Sequence, residues 1–489
     1  MLFSSYVFIF AFLPLAVLCF YLLNRHSRTA ALVGLVAFSL FYYGYWNWRY
    51  VPLLVGSILV NFWLGRQIQQ RRAAGKTPRL LLAGGIAGNL ALLAYYKYAM
   101  FVAGLFGAAP SLGVIVLPLA ISFFTFQQIA YLVDSWHGNV TRDGLLPYAV
   151  FVTFFPHLIA GPILHHREMM PQFSSEDGRR LRLEDLSVGL TLFFIGLAKK
   201  VVIADQMALH ATPAFSAAAA GQVDFTTAWV GVLAYTFQIY FDFSGYSDMA
   251  VGAARMLGIR LPANFFSPYR ARNIIEFWRR WHMTLSRLLR NYLYIPLGGN
   301  RKGPGRRHLN LMITMLLGGL WHGAGWTFVV WGALHGLYLV INHGWQGLRR
   351  RMGWERESRA GAALATLVTF LAVVIAWVFF RAQDLPTALR MLEAMAGLRG
   401  ISLPARMPPL PWFLALLAVV WFAPNSYQIT RAYDPVLMPE RFRTEPAPLA
   451  RLALAWRPTP AWAFALAAIV VSALIAMLSD RMEFLYYQF

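Results

Sequence analysis

The sequence predicts an all-α, polytopic membrane protein with about 10–13 transmembrane or re-entrant helices, counted as apolar runs long enough to cross or enter a bilayer. Three observations predict it. The 489 residues are 58% hydrophobic and 13% charged, whereas soluble domains carry roughly 25% charged residues. Apolar stretches of about 20 residues recur from end to end. Basic residues outnumber acidic ones 43 to 21, and they gather in the segments between those stretches, as cytoplasmic loops do.

The formal charge of +22 would point to nucleic acid in a soluble chain. In a membrane protein it reads as topology, with membrane lipid as the partner and no nucleic acid.

The first span, about 3–23, has no basic segment before it and is followed by Arg25 and Arg28. It therefore reads as a retained helix with its N-terminus outside, not as a cleaved signal. Cys19 lies within it as the single cysteine, which excludes an intramolecular disulfide framework and a thiolate metal cluster; it reads as core filler. Spans 29–46 and 50–65 follow, with Arg49 between them and Arg66, Arg71, Arg72, Lys76 and Arg79 after them. Next come 80–105, 113–133 and 147–161. The last contains Pro156 and His157 before Gly161 and Pro162; it is expected to enter the membrane without crossing, with irregular backbone shielded by protein. Spans 186–204 and 226–256 precede 308–322, which ends in a glycine-rich break. Spans 326–345, 361–381, 408–424 and 460–479 complete the series.

The long polar stretches are 162–185, 257–307 and 425–458. Between Arg255 and Arg307 there are twelve basic residues against one acid, Glu276. Within 274–293, Phe277, Trp281, Leu285, Leu288 and Tyr292 form one helical stripe interleaved with arginines. Such a stripe is expected to lie in the membrane interface, rings in the acyl boundary and guanidinium groups among headgroups. The same arginines could grip a polyphosphate ligand.

Ionisable groups inside a membrane are costly and mark function. Of the eleven histidines, His26, His137, His165, His166, His210 and His308 sit at loop edges and read as interfacial. His157, His282, His322, His335 and His343 lie in or beside apolar surroundings. His322 ends a run of mostly apolar residues and is flanked by Trp321 and Gly323. The nearby glycines allow close backbone approach or positive φ, and a neutral imidazole can take a hydroxyl proton near pH 7. A core histidine bonded to a carbonyl at a helix break is the plainer alternative. His335 follows after thirteen residues, roughly 220° away on an unbroken helix. Whether the Gly323–Gly325 break brings the two rings together is open.

Span 226–256 carries Asp242 and Asp248. Six residues apart, they point to different sides of a helix; Asp242 shares a face with Gly245 and Tyr246. Each is expected to be paired, for example with Arg255 or a histidine, either as a structural network or to orient the base or substrate. No P-loop, dinucleotide fingerprint, HExxH, GxSxG or cysteine pair is present, so nucleotide hydrolysis, serine hydrolysis and zinc chemistry lack a visible site.

Several runs together resemble the membrane-bound O-acyltransferase family, most closely its alginate O-acetyltransferase branch. They are Met1–Ser5, Phe154–Pro162, Lys199–Asp205, Tyr240–Ala250, Glu276–His282, Tyr292–Arg301, Leu317–Gly323 and Trp377–Ala382. The resemblance covers roughly 1–385, read as the acyltransferase core with 257–307 its basic cytoplasmic segment. Residues 386–489, with a proline-rich 403–411, carry no matching motif and read as C-terminal helices and a polar loop.

The resemblance implies a ring of helices around a funnel with His322 at the constriction. It further implies His335 as a second, weaker catalytic candidate. Asp242, Asp248, Tyr246, Trp321 and Asn291 are the candidate substrate-binding or orienting residues. It implies acetyl transfer from a cytoplasmic thioester, acetyl-CoA, with Arg279, Arg280, Arg287 and Arg290 as candidate phosphate contacts. No tightly bound cofactor and no metal are implied. The acceptor would be an exopolysaccharide such as alginate, reached directly or through periplasmic or membrane-anchored acetyltransferase partners, at a bacterial inner membrane. The rival readings are D-alanyl transfer to another envelope polymer, a polysaccharide or lipid transporter, and a non-catalytic scaffold. No internal repeat favours the transporter.

Overall fold

A computed structural model describes residues 1–107, 115–140, 144–174, 180–354, 358–402, 410–446 and 454–478. Among these, the chain is helical with no strand; its one β-bridge joins Pro262 to Leu437. The all-α expectation holds.

The helices in order are α1 (Leu13–His26), α2 (Arg28–Asn47), α3 (Val51–Ala73), α4 (Arg79–Leu93), α5 (Ala99–Leu105), α6 (Ile121–His137), α7 (Leu145–Thr153) and α8 (Phe155–Leu158). They continue as α9 (His166–Ser174), α10 (Leu183–Ala198), α11 (Asp205–Ala219), α12 (Phe225–Met256), α13 (Ile274–Arg280), α14 (Met283–Leu289) and α15 (Gly303–His322). The remainder are α16 (Trp326–Arg351), α17 (Arg359–Arg381), α18 (Leu385–Met395), α19 (Leu410–Phe422), α20 (Ser426–Ile429), α21 (Glu440–Arg443) and α22 (Pro460–Ala476). Turns of π-helix join or extend several of them at Phe8–Phe12, Ala94–Tyr98, Lys199–Ala204 and Arg290–Tyr294.

Among the described residues, five helical stretches are long and apolar enough to cross a membrane: Phe8–His26, Arg28–Ala73, Arg79–Leu105, Leu183–Ala219 and Arg359–Arg381. With the family findings below, this makes the chain a multi-pass membrane protein. The first part of expected span 113–133, the end of 460–479 and most of the proline-rich 403–411 lie outside the described residues.

Local sequence explains the helix starts. Ser27, Asp224, Ser358, Asp384 and Thr459 each accept a hydrogen bond from a first-turn N–H of the helix they precede; these side chains satisfy donors that a helix leaves unpaired. Asp224 also accepts from the Ser402 hydroxyl, and those bonds outweigh desolvation to hold its carboxyl below the usual range. Proline stands in the first turn of α1, α3, α15, α18 and α22, where its missing N–H costs nothing.

α10 and α12 approach closely because glycine faces glycine. A Cβ on Gly196 would lie 2.5 Å from the Gly245 carbonyl oxygen, and one on Gly245 would lie 2.7 Å from that of Gly196. Small residues at helix crossings give this contact in membranes. The weak span 147–161 is the broken pair α7–α8, buried throughout its second half.

The segment 274–293 differs from expectation. It is not one interfacial helix. α13 stops at Arg280, Trp281 is extended, His282 takes φ +40° and ψ +54°, and α14 then begins. The rings of Phe277, Trp278 and Trp281 are buried in the protein core with Tyr269, Trp331 and Trp377, not in the acyl boundary. The left-handed break at His282 rotates the second half of the stripe, so Leu285, Leu288 and Leu289 join Trp321 in a separate cluster.

Candidate active site

α15 and α16 form a helical hairpin that brings the two expected histidines into one neighbourhood. Its joint is extended, with φ −161° at Gly323 and −167° at Gly325, so the glycines are not there for positive φ. They serve close approach instead: a Cβ on Gly323 would lie 2.1 Å from the Phe328 ring. Deeper in the hairpin, a Cβ on Gly319 would meet the Phe328 carbonyl at 2.3 Å, and one on Gly332 the Met315 carbonyl at 2.4 Å. Backbone cannot yield as a side chain can, so Gly332→Val is expected to cost about 1–3 kcal/mol by overpacking and to lower the melting temperature in detergent. Gly347→Ala on the same helix, where an added Cβ meets nothing within 4 Å, should leave it unchanged or raise it.

His322 is the last residue of α15. Its ring lies edge-on to Trp331 and Phe380, each at 5.1 Å between centroids, and 6.5 Å from the ring of His282. It keeps 7% exposure, whereas His282 and His335 have none. Of the three, His322 alone keeps any residue exposure.

His335, on α16, stands behind Trp331, whose ring touches both histidines. The Trp278 indole N–H donates to His335 Nδ1 at 3.3 Å. Since an indole nitrogen only donates, Nδ1 carries the lone pair and the proton sits on Nε2, which is buried with no hydrogen-bond partner among the described residues.

His282 was not among the expected site residues, although it stands in an apolar setting and in a matching motif. In the structure, the His282 Nδ1 lies 3.1 Å from Asn264 Oδ1, which also accepts from the Thr284 hydroxyl at 2.9 Å and the Thr284 backbone N–H at 3.4 Å. The Asn264 amide nitrogen donates to Ser247 at 3.2 Å. A backbone N–H donor fixes the amide orientation, so His282 must donate from Nδ1 and present a bare lone pair at Nε2. That atom too is buried and has no hydrogen-bond partner among the described residues.

A second missed residue is Lys97, on the π-helical turn after α4. Its ammonium donates to the carbonyl oxygens of Trp321 at 2.5 Å and His322 at 3.1 Å, with Ser122 at 3.4 Å. The neighbouring Tyr98 hydroxyl donates to the Leu320 carbonyl at 2.6 Å. These carbonyls are the ones a helix end leaves unpaired, and a cation there also meets the negative end of the helix dipole. Trp321 packs between Phe123, Phe126 and His322, beneath the same ammonium.

The remaining expected residues lie elsewhere. Asp242 pairs with Lys200 at 2.5 Å, and Lys200 also reaches Asp205 at 2.7 Å. Asp248 accepts from Lys199 at 2.6 Å and from Ser426 at 2.7 Å. The partners are lysines of one π-helical turn, not Arg255 or a histidine; Arg255 is held by Asp185 at 2.7 Å. Tyr246 stacks on Phe3 at 4.6 Å. On a neighbouring face of α12, Phe243 packs against His282 and Ser247 accepts from Asn264. Asn291 is half-buried on the π turn after α14.

Among the arginines, Arg280 is held bidentate by Glu445 at 2.9 and 3.0 Å, and also by Glu276 at 2.8 Å. Arg287 is held bidentate by Glu168 at 2.5 and 2.8 Å. Arg279 and Arg290 are exposed. Burial, then the guanidinium groups of Arg279, Arg280 and Arg290, push Arg441 below its ordinary pKa. α21 therefore adds a third arginine beside the exposed pair. His165 and His166 are buried rather than interfacial, with His165 3.3 Å from the Tyr292 hydroxyl.

Residues 138–382 match the family model described as MBOAT, membrane-bound O-acyltransferase. The chain is 44% identical to a peptidoglycan O-acetyltransferase of Helicobacter pylori, covering 82% of this chain and 81% of that protein. It is 38% identical to a probable alginate O-acetylase AlgI of Pseudomonas putida over the full length of both. A teichoic acid D-alanyltransferase of Streptococcus thermophilus is 29% identical, over 54% of this chain and 68% of that protein.

Proposed function

The chain belongs to the membrane-bound O-acyltransferase family, and from that premise we propose that it carries an acetyl group from cytoplasmic acetyl-CoA to a hydroxyl of an envelope or secreted polysaccharide, with His322 as general base. The chain is an O-acyltransferase embedded in a membrane. The observation that carries the mechanism is the placement of His322: among three clustered histidines it alone keeps exposure, at the end of a helix and beside a glycine joint.

In the proposed reaction the acceptor hydroxyl oxygen attacks the thioester carbonyl carbon while its proton passes to a ring nitrogen of His322. The carbon–oxygen bond forms, the carbon–sulfur bond breaks, and the thiolate leaves and is protonated. Trp321, Trp331 and Phe380 wall the imidazole. His335 acts through Trp278 and Trp331 to hold that wall, and His282 sets a second lone pair beside it. Arg279, Arg290 and Arg441 are the candidate contacts for the donor phosphates, since Arg280 and Arg287 are engaged by glutamates. Their setting is basic, as expected of a cytoplasmic face at an inner membrane.

Acetyl is favoured over D-alanyl because the acetyltransferase relatives match four fifths or more of the chain and the D-alanyltransferase about half. Their names divide the acceptor between alginate and peptidoglycan; we propose an alginate-type exopolysaccharide first, reached directly or through extracytoplasmic partner proteins. The test is purified protein with acetyl-CoA and oligosaccharide of either kind, read as O-acetyl ester by mass spectrometry. Ester on one of the two supports the reading and names the acceptor; release of no thiol and ester on neither, with partners supplied, overturns it.

Lys97 and Tyr98 act here as positioning residues. Lys97→Met uncaps the last turn of α15, and a displacement of about 1 Å can cost about 10²-fold in rate. The expected result is a kcat lowered about 10–10²-fold, an unchanged KM for acetyl-CoA, and partial rescue by Lys97→Arg. An unchanged kcat in Lys97→Met contradicts it.

A further inference from the structure

We propose that the groove between α1 and α10 binds one anionic phospholipid, its acyl chain along the groove and its phosphate between Arg25 and Arg180. The groove follows from the sequence. Ile9, Leu13, Val17, Tyr21 and Arg25 recur at every fourth residue of the first helical stretch, and Leu186, Leu190 and Phe193 recur along α10. Each set makes one helical face. The two helices run antiparallel, with Phe8 stacked on Phe193 at 6.1 Å and Tyr21 near Asp185, so Arg25 and Arg180 fall at the same end and Ile9 and Phe194 at the other.

The resulting cavity is about 760 Å³ and is floored by Met256. From Ile9 to Arg25 it extends about 24 Å at 1.5 Å per residue. One leaflet with its headgroup layer is roughly 20–22 Å thick. The groove therefore has the length of one lipid and, among the described residues, carries charge only at one end.

That charge is of one sign. Arg25 and Arg180 are both exposed, and no acidic residue lines the groove among the described residues. Among the described residues, the acids at the start of α10 face Arg255: Asp185 at 2.7 Å and Glu184 at 3.8 Å. Arg28 is directed away, donating to the carbonyls of Gln172 and Phe173. Two guanidinium groups at the mouth of an apolar slot, on the side where basic loops face anionic headgroups, fit a phosphate diester with a hydrocarbon tail. A zwitterionic lipid brings an ammonium to the same mouth and is disfavoured. The proposal does not depend on the transfer reaction.

The test is native mass spectrometry of the full chain in detergent, titrated with phosphatidylglycerol or phosphatidylcholine of identical acyl chains. The wild type should bind the first at least tenfold more tightly. Arg25→Gln with Arg180→Gln should reduce phosphatidylglycerol to the phosphatidylcholine level without changing the folded fraction. Leu18→Trp, at an exposed groove position, should weaken both lipids by filling the slot. Glycerol phosphate without acyl chains should bind at least tenfold more weakly than the lipid. Equal affinity for the two lipids in the wild type, a preference that survives the double substitution, or glycerol phosphate binding as well as the lipid would each overturn the assignment.

Discussion

His322→Ala is expected to lower thiol release from acetyl-CoA by about 10²–10⁴-fold, the usual contribution of a general base, which corresponds to about 3–5 kcal/mol of transition-state stabilisation. The chain should remain folded, because the last turn of α15 is held through its carbonyls by Lys97 and Tyr98 and not through the imidazole. His335→Gln is expected to have a smaller effect on rate and a larger one on stability, since that ring is fully buried against Trp278, Trp331 and Trp377. Initial rates by thiol titration, beside melting curves for each variant, separate the two roles. Thiol release persisting at the wild-type rate in His322→Ala would end the base assignment.

The second large effect is on stability. Lys200→Met leaves the carboxylates of Asp205 and Asp242 without their shared ammonium in a site where the side chains of Lys200 and Asp242 are 5% and 2% exposed. Breaking a buried ion pair from one side costs about 3–5 kcal/mol. The variant is therefore expected to lose most of its folded population in mild detergent, measured by size exclusion after graded heating. Lys199→Met should lose less, because Lys199 is 15% exposed and Asp248 retains the Ser426 hydroxyl. Adding Asp242→Asn to Lys200→Met should recover part of the loss, as the pair is then removed from both sides. If Lys200→Met is as stable as the wild type, the buried network does not hold α12 to the π-helical turn.

Much of this was legible in the sequence, for physical reasons that can be named. Apolar length gave the spans, because a bilayer demands it. Tryptophan and glycine around His322 marked a ring at a helix end where backbones approach. The break at His282 was not legible: Phe277, Trp281, Leu285 and Leu288 keep helical spacing through it, and periodicity does not register one residue at φ +40°. That single residue turned an expected lipid-facing stripe into core and brought His282 beside His322.

Lys97 was legible and was missed. It is the lone cation in an otherwise apolar span, where an ionisable group needs a reason. Lys199 and Lys200 carried the same signal, since two buried carboxylates on α12 require cations at matching depth. The partners of Arg280 and Arg287 were not legible, because Glu445 and Glu168 lie 165 and 119 residues away in sequence. Glu445 also shows that the C-terminal region without a matching motif packs against the basic segment, with Phe442 stacked on Phe266 at 4.6 Å.

The most direct measurement uses proteoliposomes that hold an oligosaccharide acceptor on one side and receive labelled acetyl-CoA on the other, with any extracytoplasmic partner supplied beside the acceptor. Labelled ester is expected on the enclosed sugar for the wild type and none above background for His322→Gln. Equal labelling by both proteins, or labelling only when donor and acceptor share one side, would contradict it.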